Sequence, residues 1–387
     1  QTSRIVRTEK GWKVPSQSGH GSYLVSSGFQ ATCECPDYEI RKDKCKHIWA
    51  VHYTITQEVD KEGNVTVTET VRKTYPQDWK NYNLAQTREK ELFMKLLGDL
   101  TSKIPSPIYS FGRPQKLYSD MIYSMVFKVY STFSGRRFTG DMNNAKEKNY
   151  LTEQPCYNSI FNYFNKEELT PILAELVTIT SLPLQSTETN FAGDSTGFGT
   201  SNFQRWFSYK YGKEISSREW VKLHFMTGVK TNIISAVKIT TELEADCPQL
   251  PELIETTRKH FQMKEFCGDK AYLSRYNLEI LEKGGTRANI PFKINSQSGN
   301  GLIWNKLFHF FNLHVDEFLQ HYHQRSNGES TVHMIKSKFG DRVRSKVWTA
   351  QVNEVLCKII AHNICCVIQE MNELGIKEDI LVKDKHC

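Results

Sequence analysis

The stretch Phe191-Ala192-Gly193-Asp194-Ser195-Thr196-Gly197-Phe198 opens a region in which the periodicity of the chain changes. It reads as a first strand with Asp194 at its end. Downstream, Val221, Leu223 and Phe225 alternate with Lys222 and His224, a period of two that puts the apolar side chains on one face of a strand. Residues 233–239 form a second β-rich run after a turn at Thr231-Asn232, so the two strands are neighbours. A helix is expected over about 251–261, a strand over 264–268, a helix capped by Ser274 and stopped at Gly284-Gly285, and a last strand over 288–292. Strand pairs followed by β-α-β-α-β imply an α/β fold, a mixed sheet flanked by helices.

Outward from this core the pattern is helical, over about 84–182 and again over 301–375. Met121, Met125 and Val129, and Ile160, Tyr163 and Phe164, recur at helical spacing. Residues 1–60 are instead β-rich, with short strands at Trp12-Lys13-Val14 and Ser22-Tyr23-Leu24-Val25. A turn at Asp60-Lys61-Glu62-Gly63-Asn64 leads into the alternating 65–68. The organisation expected is a small β-rich unit at 1–60, linker and helix at 61–111, a helical region at 112–183, the α/β domain at 184–375 and a frayed tail at 376–387.

The 387 residues are enough for two or three domains, and 39% hydrophobic with 24% charged residues argues against a disordered or low-complexity chain. The most apolar stretch, 355–368, is interrupted by Lys358, His362 and Asn363 and is shorter than the ~20 residues of a membrane helix, so no transmembrane span is expected. No apolar signal core follows Gln1-Thr2-Ser3-Arg4, and a cytoplasmic setting is expected. The net charge of +7 is unevenly spread. Residues 103–148 hold eight Lys and Arg against three Asp and Glu, and residues 325–346 hold six against two. Positive charge concentrated in two segments suits a polyanion partner such as DNA, although solvated helix faces would read the same way. Arg136 and Arg137, between two short helices, suit a helix-turn-helix docking on DNA.

Cys33-Glu34-Cys35 and Cys45-Lys46-His47 spell C-x-C-x9-C-x-H. Two tight pairs of soft or borderline ligands let two turns converge tetrahedrally on one Zn²⁺, and with all four bound the site is closed and structural. So small a unit needs such a staple. The pattern resembles the SWIM-type zinc finger, a resemblance that covers residues 33 to 47 and implies binding of DNA or protein. The seven other cysteines carry no functional reading.

Asp269, in Gly268-Asp269-Lys270-Ala271-Tyr272, stands like Asp194 at the end of a strand. Two carboxylates meeting on neighbouring strands repel each other unless divalent cations sit between them; each Asp alone reads as a turn former. Tyr322, Arg325, Glu329 and Lys336 are spaced Y-x2-R-x3-E-x6-K, which on a continuous helix places all four within a sector of ~60°. Such a face would set a metal-binding carboxylate beside two phosphate-binding cations. The rival reading makes Ser326-Asn327-Gly328-Glu329 a capping box and leaves Tyr322 and Arg325 outside the helix.

Together these motifs resemble the DDE transposases of bacterial and archaeal insertion sequences, in the branch marked by a Y-R-E-K signature. The resemblance runs from about Gly112 to Gln369 and takes in Asn353-Glu354 and Asn363. It implies a ribonuclease H-like core in which Asp194, Asp269 and Glu329 bind two catalytic Mg²⁺ or Mn²⁺ ions, and Tyr322, Arg325 and Lys336 contact the DNA backbone at the transposon ends. It further implies an endonuclease and polynucleotidyl transferase acting on double-stranded DNA, as a homodimer at the nucleoid. Two rivals remain open: a catalytically silent DNA-binding protein derived from such an enzyme, and a zinc-dependent hydrolase.

Overall fold

The structure, a computed structural model, describes residues 5–8, 10–16, 21–26, 31–41, 45–59, 65–69, 78–106, 111–112, 115–200, 220–299 and 301–376. The turn at 60–64 and the tail beyond 376 lie outside the described residues. The chain divides into two compact units, Gln1–Gln77 and Asp78–Cys387.

In the first unit β1 (Val6–Thr8), β2 (Gly11–Pro15), β3 (Ser22–Ser26) and β4 (Thr32–Cys33) form an antiparallel sheet in that order. Two short helices follow, α1 (Pro36–Arg41) and α2 (Lys46–Thr54), then a hairpin of β5 (Ile55–Val59) and β6 (Val65–Glu69). The core is Trp12, Val14, Val25, Ile48 and Val51 packed around three cysteines. So few apolar side chains do not sustain a fold alone.

The second unit opens with five helices: α3 (Trp79–Ser102), α4 (Tyr118–Ser131), α5 (Gly135–Glu147), α6 (Tyr157–Phe164) and α7 (Leu169–Ser181). The sheet then runs through β7 (Asn190–Gly199), β8 (Trp220–Gly228) and β9 (Ile234–Thr241), an antiparallel meander. Helix α8 (Leu250–Arg258) carries the chain across to β10 (Glu265–Gly268), and α9 (Arg275–Lys283), N-capped by Ser274, carries it to β11 (Arg287–Asn289). Both β10 and β11 are parallel additions on the other side of β7, so the sheet order is β11-β10-β7-β8-β9. The mixed sheet expected from the periodicity is present. Its two faces bury separate cores, visible in the alternation along β8: Phe225 packs with the α3, α4 and α7 side, while Met226 packs with Leu250, Leu253 and Phe266. The chain closes with α10 (Leu302–Leu313), α11 (Val315–Tyr322), α12 (Ser326–Phe339) and α13 (Trp348–Glu373).

Helix α13 extends beyond the 355–368 stretch to 26 residues and is long and apolar enough, by length and composition, to cross a membrane. In this fold it is the central core helix, 89% of its apolar window being buried. The polar residues that interrupt it are fully used inside. Lys358 Nζ donates to the carbonyls of Phe339, Gly340 and Arg342, and His362 Nε2 lies 2.9 Å from the Asn232 carbonyl. The Asn363 amide accepts from Ile234 N–H and donates to the Ile234 and Val177 carbonyls, tying the edge of the sheet to α7. Asn363→Ala strands these buried partners at once. A loss of about 3 kcal/mol in urea unfolding is the expected result; a change below about 1 kcal/mol would mean the pin is dispensable.

Candidate active site and metal centre

Strands β7 and β10 run parallel with Gly193 opposite Gly268, so the residues that follow each glycine, Asp194 and Asp269, lie side by side. Asp269 stands just past the end of β10 as expected, whereas Asp194 is not at a strand end: it lies in the middle of β7, which continues to Gly199 because β8 pairs with it that far. Asp194 Oδ1 accepts the Ser195 N–H at 2.8 Å, and Asp269 caps the single 3₁₀ turn at 270–272. The third carboxylate comes from α12. That helix lies against β7 through Gly328, which is buried; a Cβ there would stand 3.5 Å from the Asp194 Cβ and 3.7 Å from its Oδ2. These are ordinary contact distances, so the close approach leaves room for a residue no larger than Ala and excludes any longer side chain.

The helical reading of Tyr322 to Lys336 holds in outline, and the capping box does not form. Helix α11 passes into α12 through a 3₁₀ turn at His323–Arg325, and Ser326 is itself helical with its hydroxyl donating to the His323 carbonyl. Tyr322, Arg325 and Glu329 therefore share a face. The Arg325 guanidinium lies 3.0 Å from Glu329 Oε1 and 3.9 Å from Asp269 Oδ2, with its Nε buried and without a partner. The Tyr322 ring stacks on Phe318, which steadies it beside Arg325.

Electrostatics follow from this crowding. Burial holds the Asp194 carboxyl above the usual range, and Glu329 and Asp269 add repulsion, against the Ser195 amide and the positive Arg325. Burial works against the charge of Arg325, yet Tyr322 and the three carboxylates hold it above its ordinary value. Burial also raises the Tyr322 phenol. Three carboxylates, one in a desolvated position, fit a hard divalent cation by the chemistry of their oxygens. Here Arg325 stands between Asp269 and Glu329 and the three are not drawn into one ligand sphere; among the described residues only the Cys₃His cluster gathers its donor atoms that closely.

Lys336 is set apart. It is seven residues beyond Glu329, about 10 Å along the helix axis, with its ammonium 5.6 Å from the Phe198 ring at the far end of β7. Arg136 and Arg137 are exposed in the first turn of α5, not between helices, and are not among the carboxylates. Tyr272, which the sequence did not single out, is buried beneath the acidic pair with an unpartnered hydroxyl that feels Asp246, Asp194 and Asp269. Its place in Gly268-Asp269-Lys270-Ala271-Tyr272 was the available signal.

In the first unit Cys33, Cys35, Cys45 and His47 are all buried, with their ligand atoms within 4.8 Å of one another. β4 supplies Cys33 and the start of α2 supplies His47. His47 Nδ1 lies 3.8 Å from the Cys33 sulfur and 3.9 Å from the Cys45 sulfur. A tetrahedron with Zn–S ~2.3 Å and Zn–N ~2.0 Å has an S···N edge of about 3.6 Å, so the cluster fits zinc with little movement. Burial, and then the neighbouring thiols, push the Cys33 thiol up to about 12. Three sulfurs packed this closely need a cation to ionise together.

A family model described as the transposase DDE domain matches residues 185–364, and one described as the SWIM zinc finger matches residues 21–55. The first match spans the sheet and all three carboxylates, and the second encloses the Cys₃His cluster.

Proposed function

We propose that this chain, which carries a transposase DDE domain behind a SWIM zinc finger, cuts DNA at the ends of a mobile element and joins the freed ends to target DNA. The observation that carries the proposal is the meeting of Asp194, Asp269 and Glu329, from two adjacent strands and a helix, around a single guanidinium. Divalent cations such as Mg²⁺ or Mn²⁺, held by these carboxylates, would supply the charge that steadies attacking and leaving oxygens in an in-line phosphoryl transfer. Asp194, the most enclosed of the three, positions the centre of the site, and Asp269 and Glu329 close it on either side. Arg325 and Tyr322 stand where a phosphate oxygen must approach; Lys336 reaches the strand one or two nucleotides farther on. Positioning and electrostatics are most of what such a transfer asks of a protein. Joining two DNA ends in one event favours a homodimer on DNA.

The decisive assay uses supercoiled plasmid carrying the inverted repeats that flank the coding region. Nicking at the repeats in Mg²⁺ or Mn²⁺ supports the reading. Binding without cleavage in either metal would favour a silent DNA-binding protein, and cleavage lost only on zinc removal would favour a zinc hydrolase. Arg325 offers a second check, because it now fills the role of counter-cation. Arg325→Ala removes a positive charge from among the three carboxylates and should tighten Mn²⁺ binding by about tenfold in calorimetry, while DNA affinity falls. Weaker Mn²⁺ binding by this variant would contradict the arrangement.

A further inference from the structure

The two basic segments noted in the sequence meet in the fold. Between the α4–α5 turn, α6 and the connection from α12 to α13 lies a cavity of about 550 Å³. Its floor is apolar, with Phe161, Phe164 and Phe339, and its walls carry Lys128, Arg342, Arg344, Lys346 and Lys358. The one carboxylate in the lining, Glu354, accepts the N–H groups of Arg344 and Ser345 and the Ser345 hydroxyl, and its single charge offsets only part of that of Lys128 and Lys358. Arg342 pairs with Asp341 outside the lining, and three of the other cations are held by neutral partners. Lys128 donates to the Phe133 carbonyl, Arg344 to those of Thr132 and Phe133, and Lys358 to three carbonyls. Among the described residues none of Lys128, Arg344, Lys346 and Lys358 forms an ion pair.

Carbonyl partners fix these ammonium and guanidinium groups without cancelling their charge. Lys128 is only 6% exposed and Lys358 only 1%, and burial, followed by Arg344 for Lys128, lowers each to about 8. Enclosed cations beside an apolar floor are costly unless an anion completes them, and the low-dielectric walls focus their field outward.

The cavity also has a fixed relation to the carboxylates. Gly199, the last residue of β7, bonds the loop behind α12 through Gly199 N–H to the Asp341 carbonyl and Val343 N–H to the Gly199 carbonyl. Five residues of strand separate Gly199 from Asp194, about 16 Å.

We infer that this cationic cleft is a second DNA-binding site, which holds the sugar–phosphate backbone of the duplex away from the reacting phosphate. Phosphates sit on Lys128, Arg344 and Lys346, with deoxyribose against Phe161 and Phe339. The inference rests on the DNA-acting reading above and adds to it a place where the flanking duplex is gripped.

The test measures binding of the full chain to a fluorescein-labelled 30-base-pair duplex across a KCl series. Lys346 is exposed, its carbonyl accepts from Gln351 Nε2, and its ammonium has no partner among the described residues, so Lys346→Ala leaves the fold intact. Lys128→Met removes a buried charge, and the Phe133 carbonyl keeps Arg344 as donor. Each variant should bind about fivefold more weakly near 0.1 M salt, with a log–log salt slope shallower by about one, the mark of a lost phosphate contact. Lys128→Met should melt no lower than the parent. Parental affinity and slope in both variants would remove the cleft from the interface and leave the transposase reading standing. Weaker binding with an unchanged slope would likewise overturn the inference. A parent that binds no duplex would sink both.

Discussion

Asp194→Asn should leave a folded protein that no longer nicks DNA. The substitution keeps the shape of the side chain and its bond from the Ser195 N–H, but removes the charge from the most enclosed of the three carboxylates. Loss of at least ~4 kcal/mol of barrier lowering, about a thousandfold in rate, is expected when a metal-holding carboxylate is neutralised at such a centre. The same change should make the metal-free protein more stable at neutral pH. Burial first, then Glu329 and Asp269, raise the Asp194 carboxyl above its unfolded value. A group raised in this way favours the folded state while protonated, and that contribution is lost as pH rises through the folded range. Asparagine has no proton to lose. Melting of the metal-free protein across pH 4 to 7 should therefore show a steeper decline for the parent than for Asp194→Asn, and nicking by the variant at more than a tenth of the parental rate would refute the assignment.

Removing zinc should unfold the first unit and spare the second. The Cys₃His cluster joins β4 to α2 and supplies three of the eight side chains in that unit's buried core. Structural zinc sites carry on the order of 10 kcal/mol of folding free energy, more than this small core supplies otherwise. Chelation, or Cys45→Ser, should expose residues 1–77 to limited proteolysis, while residues 78–376, with their own extensive cores, keep their cooperative melting. Resistance of the N-terminal unit to protease after complete zinc removal would show that the cluster is an ornament. Loss of cleavage with an intact second unit would place the zinc finger in DNA engagement.

Much of this was written locally in the chain. The period-two run at 221–225, the Ser274 cap and the glycine stop at 284–285 each concern a few consecutive residues, and they specified the strands and helices of the mixed sheet. The spacing C-x-C-x9-C-x-H likewise named its ligands, because each pair falls within three consecutive residues, one at the end of β4 and the other at the start of α2. Element ends were less legible. The strand expected over 288–292 is Arg287–Asn289, since pairing with β10 ends there.

The face formed by Tyr322, Arg325 and Glu329 was legible as one of two readings, and the choice between them was not local. A glycine at 328 argues against a continuous helix on propensity alone; burial of Gly328, Thr331, Ile335 and Phe339 on one face of α12 outweighs that cost of ~1 kcal/mol. The lysine completing the signature shows the converse. Angular position on a helix says nothing of axial distance, so Lys336 shares the side of the helix facing β7 yet belongs to Phe198 and not to the carboxylates.

By itself, then, the order of residues determined the strand and helix types, the zinc ligands and the presence of three acidic residues in special local settings. Tertiary structure decided what faces what: the Gly193–Gly268 register that sets Asp194 beside Asp269, the place of Arg325 among the carboxylates, and the meeting of two distant basic segments around one cleft. The division has a physical cause. Periodicity and spacing act over a turn of helix or a few residues of strand, whereas register and electrostatic neighbourhood come mostly from packing between segments far apart in the chain, where many small contacts are summed and no single residue announces its partner.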